Sequence, residues 1–145
     1  MLRFMIAVTV LLSAPIAVSA EEKSTATLFK NPGCKCCDSY ADHLRSNGFD
    51  VTVVENRNMT IIKEEYGVRE ELASCHTMIV RGYVVEGHVP ATAIKRLLTE
   101  KPTIKGISLP AMPAGSPGMS GTKKEPFTIL SISGEDGPAP VYATE

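Results

Sequence analysis

Three of the four cysteines fall within four positions, in Asn31-Pro32-Gly33-Cys34-Lys35-Cys36-Cys37-Asp38, and the fourth, Cys75, lies far downstream beside His76. Thiols concentrated in this way have two chemical uses. As thiolates they hold a soft metal ion, and as a dithiol they cycle with a disulfide. Cys34 and Cys37 keep the Cys-x-x-Cys spacing of a redox pair, whereas the neighbours Cys36 and Cys37 could bond to each other only through a strained ring. A plain dithiol oxidoreductase has no use for Cys36, nor for Cys75. Several thiolates with thioethers nearby suit Cu(I), the ion that Cys and Met select, while zinc accepts four thiolates but not methionines. A structural disulfide from Cys75 to one of the other three is the remaining arrangement, since free thiols oxidise outside the cytosol.

The other donors carry weaker signals. Met59 and Met78 read as core filler. Met112 and Met119 lie in a Pro/Gly-rich stretch with little core to fill, so they are candidates to ligate or shield a metal. His43 is two helical turns, ~10 Å, beyond Cys36 and reads as a solvated helix-face residue. His76 adjoins Cys75, as a ligand or as a hydrogen-bonding neighbour. His88 stands in a Gly-His-Val-Pro turn.

The elements that must position these groups follow from periodicity and punctuation. Thr25 to Lys30 reads as a short strand ended by Asn31-Pro32-Gly33. A helix is expected from about Cys36 to Asn47, with Tyr40, Ala41 and Leu44 as its apolar stripe and Gly48 as its stop. Phe49 to Glu55 reads as a mostly buried strand, and Asn58 to Tyr66 as a second helix. A short turn over 69–73 leads to Ser74-Cys75-His76-Thr77. Met78-Ile79-Val80 and Tyr83-Val84-Val85-Glu86 flank Arg81-Gly82 as a hairpin, and Ala91 to Thr99 forms a third helix. Residues 106–121 hold Pro110, Pro113 and Pro117 and four glycines, so no regular structure is expected there. Phe127 to Ile132 is a further strand, and Val141 to Ala143 returns as an edge strand after two prolines.

The order β-α-β-α-β-β-α is that of an α/β, thioredoxin-like fold, here with an added Met/Pro/Gly-rich loop and a C-terminal strand or hairpin. In such a fold the loop entering the first hairpin strand packs against the helix start that carries the cysteines. Cys75 occupies that loop, so four sulfurs are expected to converge despite ~40 residues of separation.

Residues 1–20 read as a secretory signal peptide: Arg3, a stretch of about 14 largely apolar residues, and a small-x-small site at Val18-Ser19-Ala20. That run is short of the ~20 residues a spanning helix needs. Residues 21–145 then form a single metal-binding domain outside the reducing cytosol, in the periplasm, with no membrane span after signal removal. The chain carries a net charge of −1, one unit more negative without Arg3, and no tryptophan. There is no basic surplus to attract nucleic acid or anionic lipid, and composition points to no partner protein.

The motifs together, C-K-C-C in 34–37, Ser74-Cys75-His76-Thr77, Gly82 to Pro90 and Met112-Pro113-Ala114-Gly115-Ser116-Pro117-Gly118-Met119, resemble the CopG-type periplasmic copper-resistance proteins. That family was long carried as a domain of unknown function with a thioredoxin-like fold. The resemblance covers nearly all of the chain after residue 24. It implies several copper ions in a cysteine-bridged cluster, with Cys34, Cys36, Cys37, Cys75, His88, Met112 and Met119 as the metal-site residues. Lys35 stands where the family commonly has Gly, as does Ala111 before Met-Pro. Three readings stay open: a copper-resistance protein that sequesters Cu(I) or changes copper's oxidation state, a thiol-disulfide oxidoreductase using Cys34 and Cys37, and a zinc module.

Overall fold

The computed structural model describes residues 23–134 and 137–145, so the expected signal peptide lies outside the described residues. Eight elements build the first part of the chain: β1 (Ser24–Lys30), α1 (Lys35–Ser46), β2 (Phe49–Glu55), α2 (Met59–Glu65), a 3-10 turn (Glu70–Leu72), β3 (His76–Val80), β4 (Tyr83–Glu86) and α3 (Ala91–Glu100). Strands β5 (Gly106–Ser108), β6 (Thr128–Ile132) and β7 (Val141–Thr144) follow. All seven strands join one sheet in the order β2-β1-β3-β4-β5-β6-β7. β1 runs parallel to β2 and antiparallel to β3, which pairs antiparallel with β4. From β1 to α3 the order is the one the sequence predicts.

Strand side chains alternate between the two faces of a sheet, and that alternation sorts the core. Leu28, Met78, Val80, Val85 and Ile129 pack with Tyr40, Ala41 and Leu44 of α1 and Ile94 and Leu97 of α3. Their strand neighbours Ile79, Val84, Leu130 and Ile132 meet Tyr66, Val68 and Leu72 on the other face. The same alternation continues to the end of β3. His76 shares the α1 face with Met78, and Thr77 shares the α2 face with Ile79. Truncating one fully buried residue such as Leu44 is expected to cost about 2–5 kcal/mol.

Three expectations are corrected. Residues 106–108 form a strand, parallel to β4, although they begin the Gly/Pro-rich stretch. Gly106 serves there to let backbones approach: a Cβ on it would lie 1.9 Å from the Val84 carbonyl oxygen. β2 is buried only at Phe49 and Val51, with Val54 exposed, because among the described residues it is an edge strand with β1 as its one partner. His43 is half-buried, stacked near Tyr40, and its Nε2 is buried without a hydrogen-bond partner among the described residues. It is not a solvated residue.

The hairpin turn at Arg81-Gly82 has φ of +47° and +84°, the doubly positive pair that two-residue hairpins require. β7 forms the far edge of the sheet, as expected after Pro138 and Pro140.

Candidate metal centre

The C-terminal end of β1, the start of α1 and the start of β3 meet at one end of the sheet, with Lys30 opposite His76 in the β1–β3 register. Pro32 and Gly33 turn the chain between β1 and α1, Gly33 at φ +75°, and the Cys34 amide donates to the Asn31 carbonyl at 3.3 Å. Cys34 is the N-cap of α1 and makes no side-chain cap bond. Its sulfur, with those of Cys36 and Cys37 in the first turn, therefore lies at the N-terminal end of the helix. Lys35 between them is exposed.

Cys75, in the loop before β3, completes the set. Its Sγ lies 3.2 Å from Cys34 Sγ, 3.5 Å from Cys36 Sγ and 3.3 Å from Cys37 Sγ. Cys34 and Cys36 sulfurs are 3.4 Å apart. Cys34 and Cys37 are joined as a disulfide, leaving Cys36 and Cys75 as thiols. The expected convergence is thus present, and the disulfide does not involve Cys75. Burial pushes the Cys75 thiol up to about 12, with the neighbouring Cys36 adding to the effect. At neutral pH it is a protonated thiol, and a metal binding there must displace the proton.

On the α1 face two buried imidazoles lie beside these sulfurs. Ligand atoms of Cys75, His76 and His88 all fall within 4.8 Å of one another. His88 Nδ1 is 2.7 Å from the Pro117 carbonyl oxygen, which fixes Nδ1 as the protonated nitrogen and leaves Nε2 with a free lone pair. That Nε2, and both ring nitrogens of His76, are buried without a hydrogen-bond partner among the described residues. Burial lowers the pKa of both rings, that of His76 well below the usual range, where the nearby His88 and Lys63 add to the effect. Neutral imidazole nitrogens are metal donors. The Tyr40 ring walls both histidines at 4.5 and 5.2 Å, with its hydroxyl donating to the Val89 carbonyl. His76 is the residue that the sequence left undecided. Its place as the first residue of a strand, next to Cys75, was the available signal, but burial of its ring could not be read there.

The Met-bearing loop is tied to the same end. Gly118 (φ +80°) lies so close to α1 that a Cβ would be 2.7 Å from the Tyr40 nitrogen and 2.8 Å from the Cys36 carbonyl oxygen. Met119, the next residue along the chain, is partly buried. Ala111 bridges Ser74 and accepts a hydrogen bond from its hydroxyl, and Met112, the residue after it, is half-exposed. Ala111 has φ +59°, a left-handed conformation in which glycine is the usual residue.

The α2 face carries charge. Glu86, fully buried, accepts from the Ser74 amide at 2.7 Å and the Thr77 hydroxyl at 2.7 Å, and pairs with Lys63. On the α1 face, Lys30, also buried, reaches Asp38 at 3.0 Å and Glu55 at 3.3 Å.

The sequence pattern of a family described as a protein of unknown function, DUF411, matches residues 72–119, which hold Cys75, His76, His88, Met112 and Met119. No curated protein matches the chain. Two solved structures, described as copper resistance protein CopG in form 2 and form 1, are each 35% identical to it. They match 86% of this chain and 99% and 98% of their own, with TM-scores of 0.78 and 0.77. The cysteine cluster and these relatives fit copper binding, and with identity of this degree over nearly the whole of both structures, the chain belongs to the CopG family of copper resistance proteins.

Proposed function

We propose that this is an exported, periplasmic copper-resistance protein whose mature chain, residues 21–145, is a single thioredoxin-like domain holding several Cu(I) ions in a cysteine-bridged site. The observation that carries the reading is Cys75 Sγ within 3.5 Å of all three sulfurs of the 34–37 segment. A dithiol enzyme needs two sulfurs, whereas bridging several soft ions needs more. Cys34, Cys36, Cys37 and Cys75 supply thiolates, and His88 offers its free Nε2. Met112 and Met119 bring soft thioethers on the loop that folds over the helix start. Zinc would accept the thiolates but gives the methionines no role.

A second reading, thiol-disulfide exchange, is favoured by the Cys34–Cys37 disulfide itself. On the copper reading that disulfide is the unloaded, oxidised state, and reducing it frees the two sulfurs the metal needs. The test is to purify the mature protein anaerobically from copper-supplemented cells and measure bound metal and free thiols. More than one Cu(I) per chain, with thiols protected from alkylation, is the expected result. Zinc in place of copper, or no metal with full disulfide-reductase activity, would overturn it.

A further inference from the structure

Glu86 is a carboxylate with none of its surface exposed, and its bonds converge on Cys75 from both sides. Oε1 accepts from the Ser74 amide, the residue before Cys75, and pairs with Lys63 Nζ. Oε2 accepts from the hydroxyl of Thr77, two residues after Cys75, and Lys63 Nζ lies 3.2 Å from that same hydroxyl oxygen. Thr77 and Glu86 are direct partners in the β3–β4 register. One buried ion pair on the α2 face therefore fastens the two flanks of a cysteine that points its sulfur to the other segment.

Stability is a poor explanation for such a pair. Desolvating two charges offsets most of their attraction, and well-packed apolar replacements are often neutral or stabilising. On the Cys75 thiol itself Lys63 and Glu86 act in opposite directions. The pair's distinctive property is directional: four hydrogen bonds fixed around one short loop.

We propose that Glu86, with Lys63 and Thr77, is the positioning device that holds Cys75 against the 34–37 thiols, and that copper loading depends on it. This rests on the copper reading of the site, so the test includes a readout free of copper. In a Cys36→Ser, Cys37→Ser background only Cys34 and Cys75 remain. Oxidised glutathione then takes two electrons from these thiols, forming the Cys34–Cys75 disulfide and releasing two reduced glutathiones with both protons. The equilibrium gives the effective concentration of Cys75 at Cys34.

Replacing the pair by apolar residues, Lys63→Met with Glu86→Leu, leaves no unpaired charge. It takes the acceptor from the Ser74 amide and the Thr77 hydroxyl, so it is expected to lower the melting temperature modestly while lowering that effective concentration about tenfold or more, as loss of two hydrogen bonds would. In the four-cysteine protein the same double change should lower copper stoichiometry. Thr77→Val should act in the same direction and Thr77→Ser should restore wild-type behaviour. An unchanged effective concentration in the folded variants, whether or not they melt lower, would overturn the proposal. If the wild-type protein takes up no copper, the copper reading fails, and the glutathione equilibrium still decides the positioning role.

Discussion

Asn31–Asp38 and Ser74–Thr77 both deliver sulfur to the same point, yet they are held there by different means. The first is shaped by neighbours in the chain: a Pro-Gly turn, a helix that begins at once, and a backbone bond from Cys34 to Asn31. The buried lysine just before it, Lys30, pairs with Asp38 and Glu55, whose side chains are more than half exposed. The second segment has no regular structure until His76 and is fixed by distant groups: Glu86, Lys63 and the Ala111 carbonyl. A local scaffold tolerates the loss of one contact, because the turn and helix still define the path. A loop held by long-range bonds depends on each of them. The oxidised state shows the same asymmetry, since the disulfide forms within the local segment and leaves Cys75 free.

The comparison breaks most sharply at the sulfurs. Cys36→Ser and Cys75→Ser are expected to abolish normal copper loading, with affinity falling by more than the ~10–100-fold lost when a residue that only hydrogen-bonds to a ligand is changed, while far-UV circular dichroism stays native. Metal analysis on anaerobic protein checks this. Wild-type copper content in either variant would show that the two segments do not act together.

Next in size is Gly118→Ala. A methyl group there meets the backbone of Tyr40 and Cys36 at under 3 Å, at a positive φ. It is expected to cost about 1–3 kcal/mol in denaturant unfolding and to lift the Met loop off the local segment, lowering copper affinity as well.

The double change Met112→Leu, Met119→Leu keeps apolar bulk and removes the thioethers. It should leave stability within about 1.5 kcal/mol and weaken, without abolishing, copper loading and copper tolerance. A competition titration with a Cu(I) chelator measures the shift.

The smallest effect separates the segments by pH. Burial holds His76 and His88 below the usual 6.5 in the fold, so the unfolded chain binds more protons than the folded one below that pH. Stability of the copper-free protein is therefore fully present above pH 6.5 and declines as pH falls toward the folded values, each kcal/mol lost lowering the melting temperature by about 4 °C. His76→Gln removes one titrating ring and should flatten the melting curve's dependence between pH 6.5 and 5.

Much of this molecule was legible from residue order alone. The strand-turn-helix around Cys34, the hairpin at Arg81-Gly82 and the edge strand after Pro140 are set by local rules of turn geometry, capping and periodicity. Those rules also misled where a residue's use was not local. Gly106 is a close-approach position in a strand, and the half-buried Val53 and exposed Val54 lie on an edge strand where a buried one was expected. Cys75 could be placed opposite the thiols through topology. The burial of His76, its free ring nitrogens and the Glu86–Lys63 pair could not. They depend on which face of the sheet each side chain takes and on what packs there, and that is decided only when β3, β4, α1 and α2 come together.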